Sequence, residues 1–216
     1  MVGMLACAAV LRRTSLGLFF LAHVLLLGVS ASQAAGDSSA LWIAGSKGLF
    51  KLSALDGGIL LDIPVTGGVR ALAVDTVNGR LWAYSRQRLQ AYAADGEQVF
   101  DIALGDFSFP RPRLLIDEGA GTLWLAGGRR LLRVDKQGRR LQTRQFSRPI
   151  VAATLDRKRS QLWLADGKRI WVLDEEGTDV FGIDLQRHHR VRQLEYAPSL
   201  QQVWVAADGW LRRYDA

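Results

Sequence analysis

The sequence predicts an all-β fold of stacked, four-stranded antiparallel sheets, one per repeat of about 40 residues. Three observations carry this. The first is an internal repeat, marked by Trp42, Trp82, Trp124, Trp163 and Trp204 at spacings of 40, 42, 39 and 41 residues. The second is punctuation: short apolar runs alternate with turn dipeptides such as Asn78-Gly79 and Asp95-Gly96, whose residues accept the backbone angles of tight turns. The third is that the tryptophan-bearing run of each repeat is apolar at nearly every position, so both faces of that strand must be covered.

The unit is clearest from Val69 to Ala103. VRALAVD, LWAYS, LQAYA and QVFDIA read as four strands of a meander, since no helical period links them. The first run recurs as RLLID, IVAATLD and VRQLEYA, the second as TLWLA, QLWLA and VWVAA, and the third as RLLRVD, RIWVLD and WLRRYD. Such sheets, covered on both faces, suit blades around an axis, a β-propeller. LWIAGSKGLFKLSALDGG from Leu41 supplies strands two to four of a first unit. Three complete units start near Val69, Pro112 and Ile150, and the last stretch holds strands one to three. The expectation is therefore three complete and two partial blades. Either they close a small ring of four to five blades, or the array is incomplete, which is the favoured reading. Open blade edges would then invite self-association.

Ahead of the repeats, Arg12 and Arg13 precede an apolar run from Leu16 to Val29 and the small residues SASQAAG. This reads as a secretory signal over residues 1–34, with Ser32 and Ala34 flanking the cut. The run is shorter than the roughly 20 residues of a spanning helix. An uncleaved N-terminal membrane anchor is the alternative. Residues 35–216 then form the repeat domain, exported to the periplasm or beyond. The one cysteine, Cys7, lies in the leader, so the mature part has no disulfide or thiol chemistry. Lysine and arginine number 28 against 21 acids.

The pattern LW-hydrophobic-A-x-x-x-G-[LI]-x-x-[VLY]-D-x-x-G, spanning Leu41 to Ala216, resembles NHL-type repeats and the periplasmic propeller repeats of two-component sensors. The resemblance implies a propeller. It leaves function open, because that fold hosts binding, signalling and enzymatic members. Propeller lyases and lactonases draw histidines and acids from several blades. Here His188 and His189, the only histidines after the leader, share one loop. No Cys/His metal spacing and no nucleophile set stands out, so neither catalytic residues nor a cofactor is expected.

Asp75, Asp117 and Asp156 recur after the first strand. A ring of calcium-binding carboxylates and a set of turn caps are both consistent with that recurrence, and the caps are favoured. The five marker tryptophans read as core rather than a stacking platform, whereas Trp210, after Asp208-Gly209, is the best candidate for an exposed ring.

Charge sorts by end. In a meander blade the turn between strands two and three shares an end with the links between blades. That end holds Lys47, Arg86, Arg88, Arg129, Arg130, Lys168 and Arg169. The links add Arg111, Arg113, Arg148, Arg187 and Arg190, beside His188 and His189. Arg70, Arg113 and Arg192 start inner strands and should rim a central channel. The expected function is a non-catalytic binding or scaffold module whose Arg-rich face, centred on Arg70, Arg111, Arg113, Arg187, His188, His189, Arg190 and Arg192, meets an anionic partner. That partner would be an anionic glycan, a lipid headgroup or an acidic protein surface. Export and the lack of basic–aromatic interleaving argue against nucleic acid. A periplasmic ligand-sensing module and a propeller-type lyase or lactonase are the alternatives.

Overall fold

The computed structural model describes residues 40–105, 107–185 and 190–215, which contain strands and turns and no helix. Sheet I holds β1 (Ala40–Ala44), β2 (Gly48–Ser53) and β3 (Ile59–Pro64). Sheet II holds β4 (Ala71–Asp75), β5 (Arg80–Ser85), β6 (Arg88–Ala93) and β7 (Gln98–Ala103). Sheet III holds β8 (Arg113–Asp117), β9 (Thr122–Gly127), β10 (Arg130–Asp135) and β11 (Arg140–Gln145). Sheet IV holds β12 (Ala152–Asp156), β13 (Gln161–Ala165), β14 (Arg169–Leu173) and β15 (Asp179–Asp184). Sheet V holds β16 (Val191–Ala197), β17 (Gln202–Ala207) and β18 (Trp210–Asp215). Each sheet is an antiparallel meander in sequence order. Among the described residues, sheet I starts at the second strand position and sheet V stops at the third, as the repeat count expects.

The first strands β4, β8, β12 and β16 lie side by side in that order. Between sheets, the alternation of a β-strand does the sorting: successive side chains point to opposite faces. On β9, Leu123 and Leu125 join the core between sheets II and III, while Trp124 and Ala126 join the core between III and IV. On β13, Leu162 and Leu164 face sheet III, while Trp163 and Ala165 face sheet V. On β5, Leu81 and Ala83 face sheet I, and Trp82 and Tyr84 face sheet III. This is why the second strands are apolar throughout. Trp42, Trp82, Trp124 and Trp163 each look toward the next sheet, and Trp82, Trp124 and Trp163 are fully buried. Trp42 packs on the core between sheets I and II but stays half-buried, being on β1, the edge strand of sheet I among the described residues; Trp204 is half-buried on a sheet covered on one side only among them.

The fourth strands are mostly exposed and carry charges, and β3, β7 and β11 alternate exposed with half-buried residues after their first position, as in RLQTRQ of β11. Charged outer edges discourage pairing with another chain. The turn into the fourth strand bears the D-x-x-G signature. At Asp135–Gly138 the Gly138 N–H donates to the Asp135 carbonyl (2.9 Å), with Gly138 at φ 78°. A Cβ there would collide with Ile102 on β7 of the preceding sheet. Gly138 is thus fixed twice, by a left-handed backbone and by the close approach of a neighbouring sheet. Gly138→Ala is expected to lower stability by about 1–2 kcal/mol from backbone strain alone, more if Ile102 cannot yield. Urea denaturation checks this, and a variant as stable as the parent would refute the account of the turn.

Candidate functional site

Backbone hydrogen bonds gather the inter-sheet links and the turns between second and third strands at one end. The Leu104 N–H donates to the Gln87 carbonyl (2.8 Å) and the Gly128 N–H to the Pro110 carbonyl (2.9 Å). The Phe146 N–H reaches the Arg129 carbonyl (2.8 Å), Leu185 reaches Lys168 (2.8 Å) and Asp208 reaches Arg190 (3.1 Å). Each link is therefore stitched to a turn beside it, as the charge-sorting argument requires.

This end is cationic. Lys47, Arg70, Arg86, Arg111, Arg129, Arg148, Lys168 and Arg190 are exposed, and their side chains make no hydrogen bond or ion pair with a described residue. Arg111 sits at φ 52°, holding the link in a tight bend. Other cations at this end are engaged. Arg88 Nε bonds Asp101 at 2.7 Å, Arg169 lies 3.7 Å from Asp184, and the Arg130 guanidinium stacks 4.8 Å over Phe107.

The residues singled out from sequence fare differently. Arg70, Arg111 and Arg190 stand free of described acids. Arg192 is taken by Asp208, with contacts of 2.7 and 3.3 Å, and Arg113 donates to the Val151 carbonyl at 3.2 Å. Arg187, His188 and His189 lie outside the described residues. Trp210 is not the exposed ring the sequence suggests. It is half-buried against the core between sheets IV and V, with the Arg212 guanidinium 4.7 Å from its ring. The Asp-Gly turn ends at β18, so Trp210 already points into a sheet face. The free cations Arg129, Arg148 and Lys168 were visible in sequence as residues of this end. Which of the arginines there would be neutralised was not.

At the opposite end the recurring aspartates are spent on turns. Asp75 Oδ1 accepts the Asn78 N–H (3.0 Å), Asp117 Oδ1 the Ala120 N–H (3.0 Å), and Asp156 Oδ1 the Lys158 N–H (2.9 Å). All three are buried. They cap their turns from separate sheets, and among the described residues no group of three or more His, Cys, Asp or Glu side chains is placed to hold a metal ion. Asp135 caps the next turn: burial pushes its carboxyl up, but the Arg139 N–H, the Arg139 guanidinium and the Gln137 N–H outweigh that and hold it below its ordinary value. The Arg88 side chain lowers Asp101, and the Arg144 side chain lowers Asp179.

A carboxyl whose folded pKa lies below its unfolded value binds protons more weakly when folded. Its contribution is present above the ordinary carboxyl range and disappears as pH falls through the folded value. Stability is thus expected to decline below about pH 4. Asp101→Asn is expected to make that decline shallower in urea midpoints measured from pH 6 to pH 2. An equal slope in parent and variant would count against the pairing.

No protein-family model matches this chain, and no curated protein matches it.

Proposed function

We propose that the five sheets are blades of a propeller-type array and that the chain is an exported, non-catalytic binding module whose turn-and-link end engages an anionic partner. One observation carries the reading. Eight cations at this end stand exposed without acidic partners among the described residues, while the recurring Asp75, Asp117 and Asp156 of the other end are buried in turn caps. A concentrated field of one sign attracts an opposite surface and falls away with salt. Phosphorylated or acidic glycans, anionic headgroups and acidic protein surfaces share that chemistry. The cations sit on links and turns pinned by backbone bonds, so little ordering is needed on binding.

The test replaces Arg70, Arg111, Arg148 and Arg190 together with serine. Each charge near an anionic surface is worth on the order of 1 kcal/mol at moderate salt, so retention on heparin and binding to phosphatidylserine vesicles should fall at least tenfold. All four side chains are exposed, so the thermal midpoint should barely move. Unchanged binding to both probes at low salt would end the proposal.

A further inference from the structure

The four first strands leave space between them. Leu72 and Val74 of β4, Leu115 of β8, and Ala153 and Leu155 of β12 line a cavity of about 470 Å³. Leu72, Val74 and Leu115 are only half-buried: they pack against the inter-sheet cores and offer the rest of their surface to the cavity. The volume lies within the roughly 300–1,000 Å³ of small-molecule sites, which pair apolar walls with a few oriented polar groups.

Three charged groups line this cavity: Arg113, Glu195 and Arg157, which follows β12 and makes no ion pair with Glu195 or any other described residue. The pair of opposite sign lying at different levels is Arg113 and Glu195. Arg113 opens β8 at the turn-and-link end, and one of its N–H groups is held by the Val151 carbonyl at 3.2 Å. That contact fixes the guanidinium and leaves further donors of its fork unused. Glu195 lies further along β16, exposed, and makes no hydrogen bond or ion pair with a described residue. Its partner position on β17 is Trp204, not a base.

We infer that this cavity binds a small zwitterion with an aliphatic body, of the kind a short apolar peptide presents, its carboxylate on Arg113 and its amino group on Glu195. Burial of the aliphatic body supplies affinity, and the two charges set direction. The inference does not rest on the free cations of the turn-and-link end: beside Arg113 it needs an acid and an apolar wall, neither of which a polyanion would use.

The full chain is titrated with tri-leucine by calorimetry. One saturable site is expected. N-acetylation of the peptide and Glu195→Gln should each weaken it about tenfold or more, the loss of one charge-assisted hydrogen bond. Heparin should not displace the peptide. Glu195 is exposed, so the variant should keep the parent's circular dichroism and thermal midpoint, and Leu115→Arg offers a second block that fills the wall. Absence of saturable binding into the millimolar range overturns the inference. So does binding indifferent to acetylation and to Glu195→Gln, and so does displacement by heparin, which would move the site to the cationic end.

Discussion

Replacing Trp163 with alanine is expected to destabilise the fold by about 3–5 kcal/mol, the usual cost of emptying a large aromatic from a packed core. Trp163 is fully buried between sheets IV and V. Phe181 meets it edge-on at 5.5 Å between ring centroids, and Tyr214 lies at 6.2 Å. It therefore joins two sheets that share no backbone ladder. For a chain of this length each kcal/mol shifts the thermal midpoint by roughly 2–4 °C, so a drop on the order of 10 °C should appear in a melt followed by circular dichroism. Trp204→Ala is the control: it is half-buried and lies outside the buried clusters, so it should cost clearly less. Equal losses for the two would mean that the period marks something other than sheet-to-sheet packing.

The second large effect is expected at Asp156. Its carboxylate is fully buried and accepts the N–H groups of Lys158 (2.9 Å) and Arg159 (3.3 Å). The Arg159 guanidinium lies 3.2 Å from its other oxygen, and the Tyr196 phenol of the next sheet is held above its ordinary value, by burial first and then by the nearby Asp156 carboxylate. Asp156→Ala removes the acceptor and leaves those donors unmatched. Unsatisfied buried groups cost about 1–3 kcal/mol each, so a loss of about 2–4 kcal/mol in urea denaturation is expected. Asp156→Asn, which keeps one acceptor, should recover part of it. If Asp156→Ala were as stable as the parent, the recurring acid would need a role other than capping.

Much of this fold was legible because its determinants are local and repeated. The four runs from Val69 to Ala103 became β4 to β7 with ends moved by two residues at most. The both-sides-apolar reading of the second strands holds for β5, β9 and β13, and it fails on β1 and β17 for a physical reason: each belongs to a sheet covered on one side only among the described residues. The turn acids were also readable, since a cap needs only the following few residues.

What was not readable depends on register and on neighbouring sheets. That Arg192 would meet Asp208 follows from β16 lying beside the end of β17, with a register shift between Val191 and Gln193. That Arg113 would reach Val151 depends on how sheets III and IV lie together. Sequence alone places both at the starts of inner strands, rimming a channel. The cavity between the first strands has no local signature, because its walls come from four segments about 40 residues apart.

The central claim is that thin meander sheets hide their apolar faces against one another, with the marker indoles at the seams. Fluorine NMR on 5-fluorotryptophan-labelled protein, assigned by single Trp→Phe variants, tests it directly when a soluble paramagnetic agent is added. Trp82, Trp124 and Trp163 should show almost no added relaxation, and Trp42 and Trp204 should show an intermediate effect. Relaxation at Trp82, Trp124 or Trp163 as fast as in the urea-unfolded chain would contradict the packing and, with it, the end at which the free cations are placed.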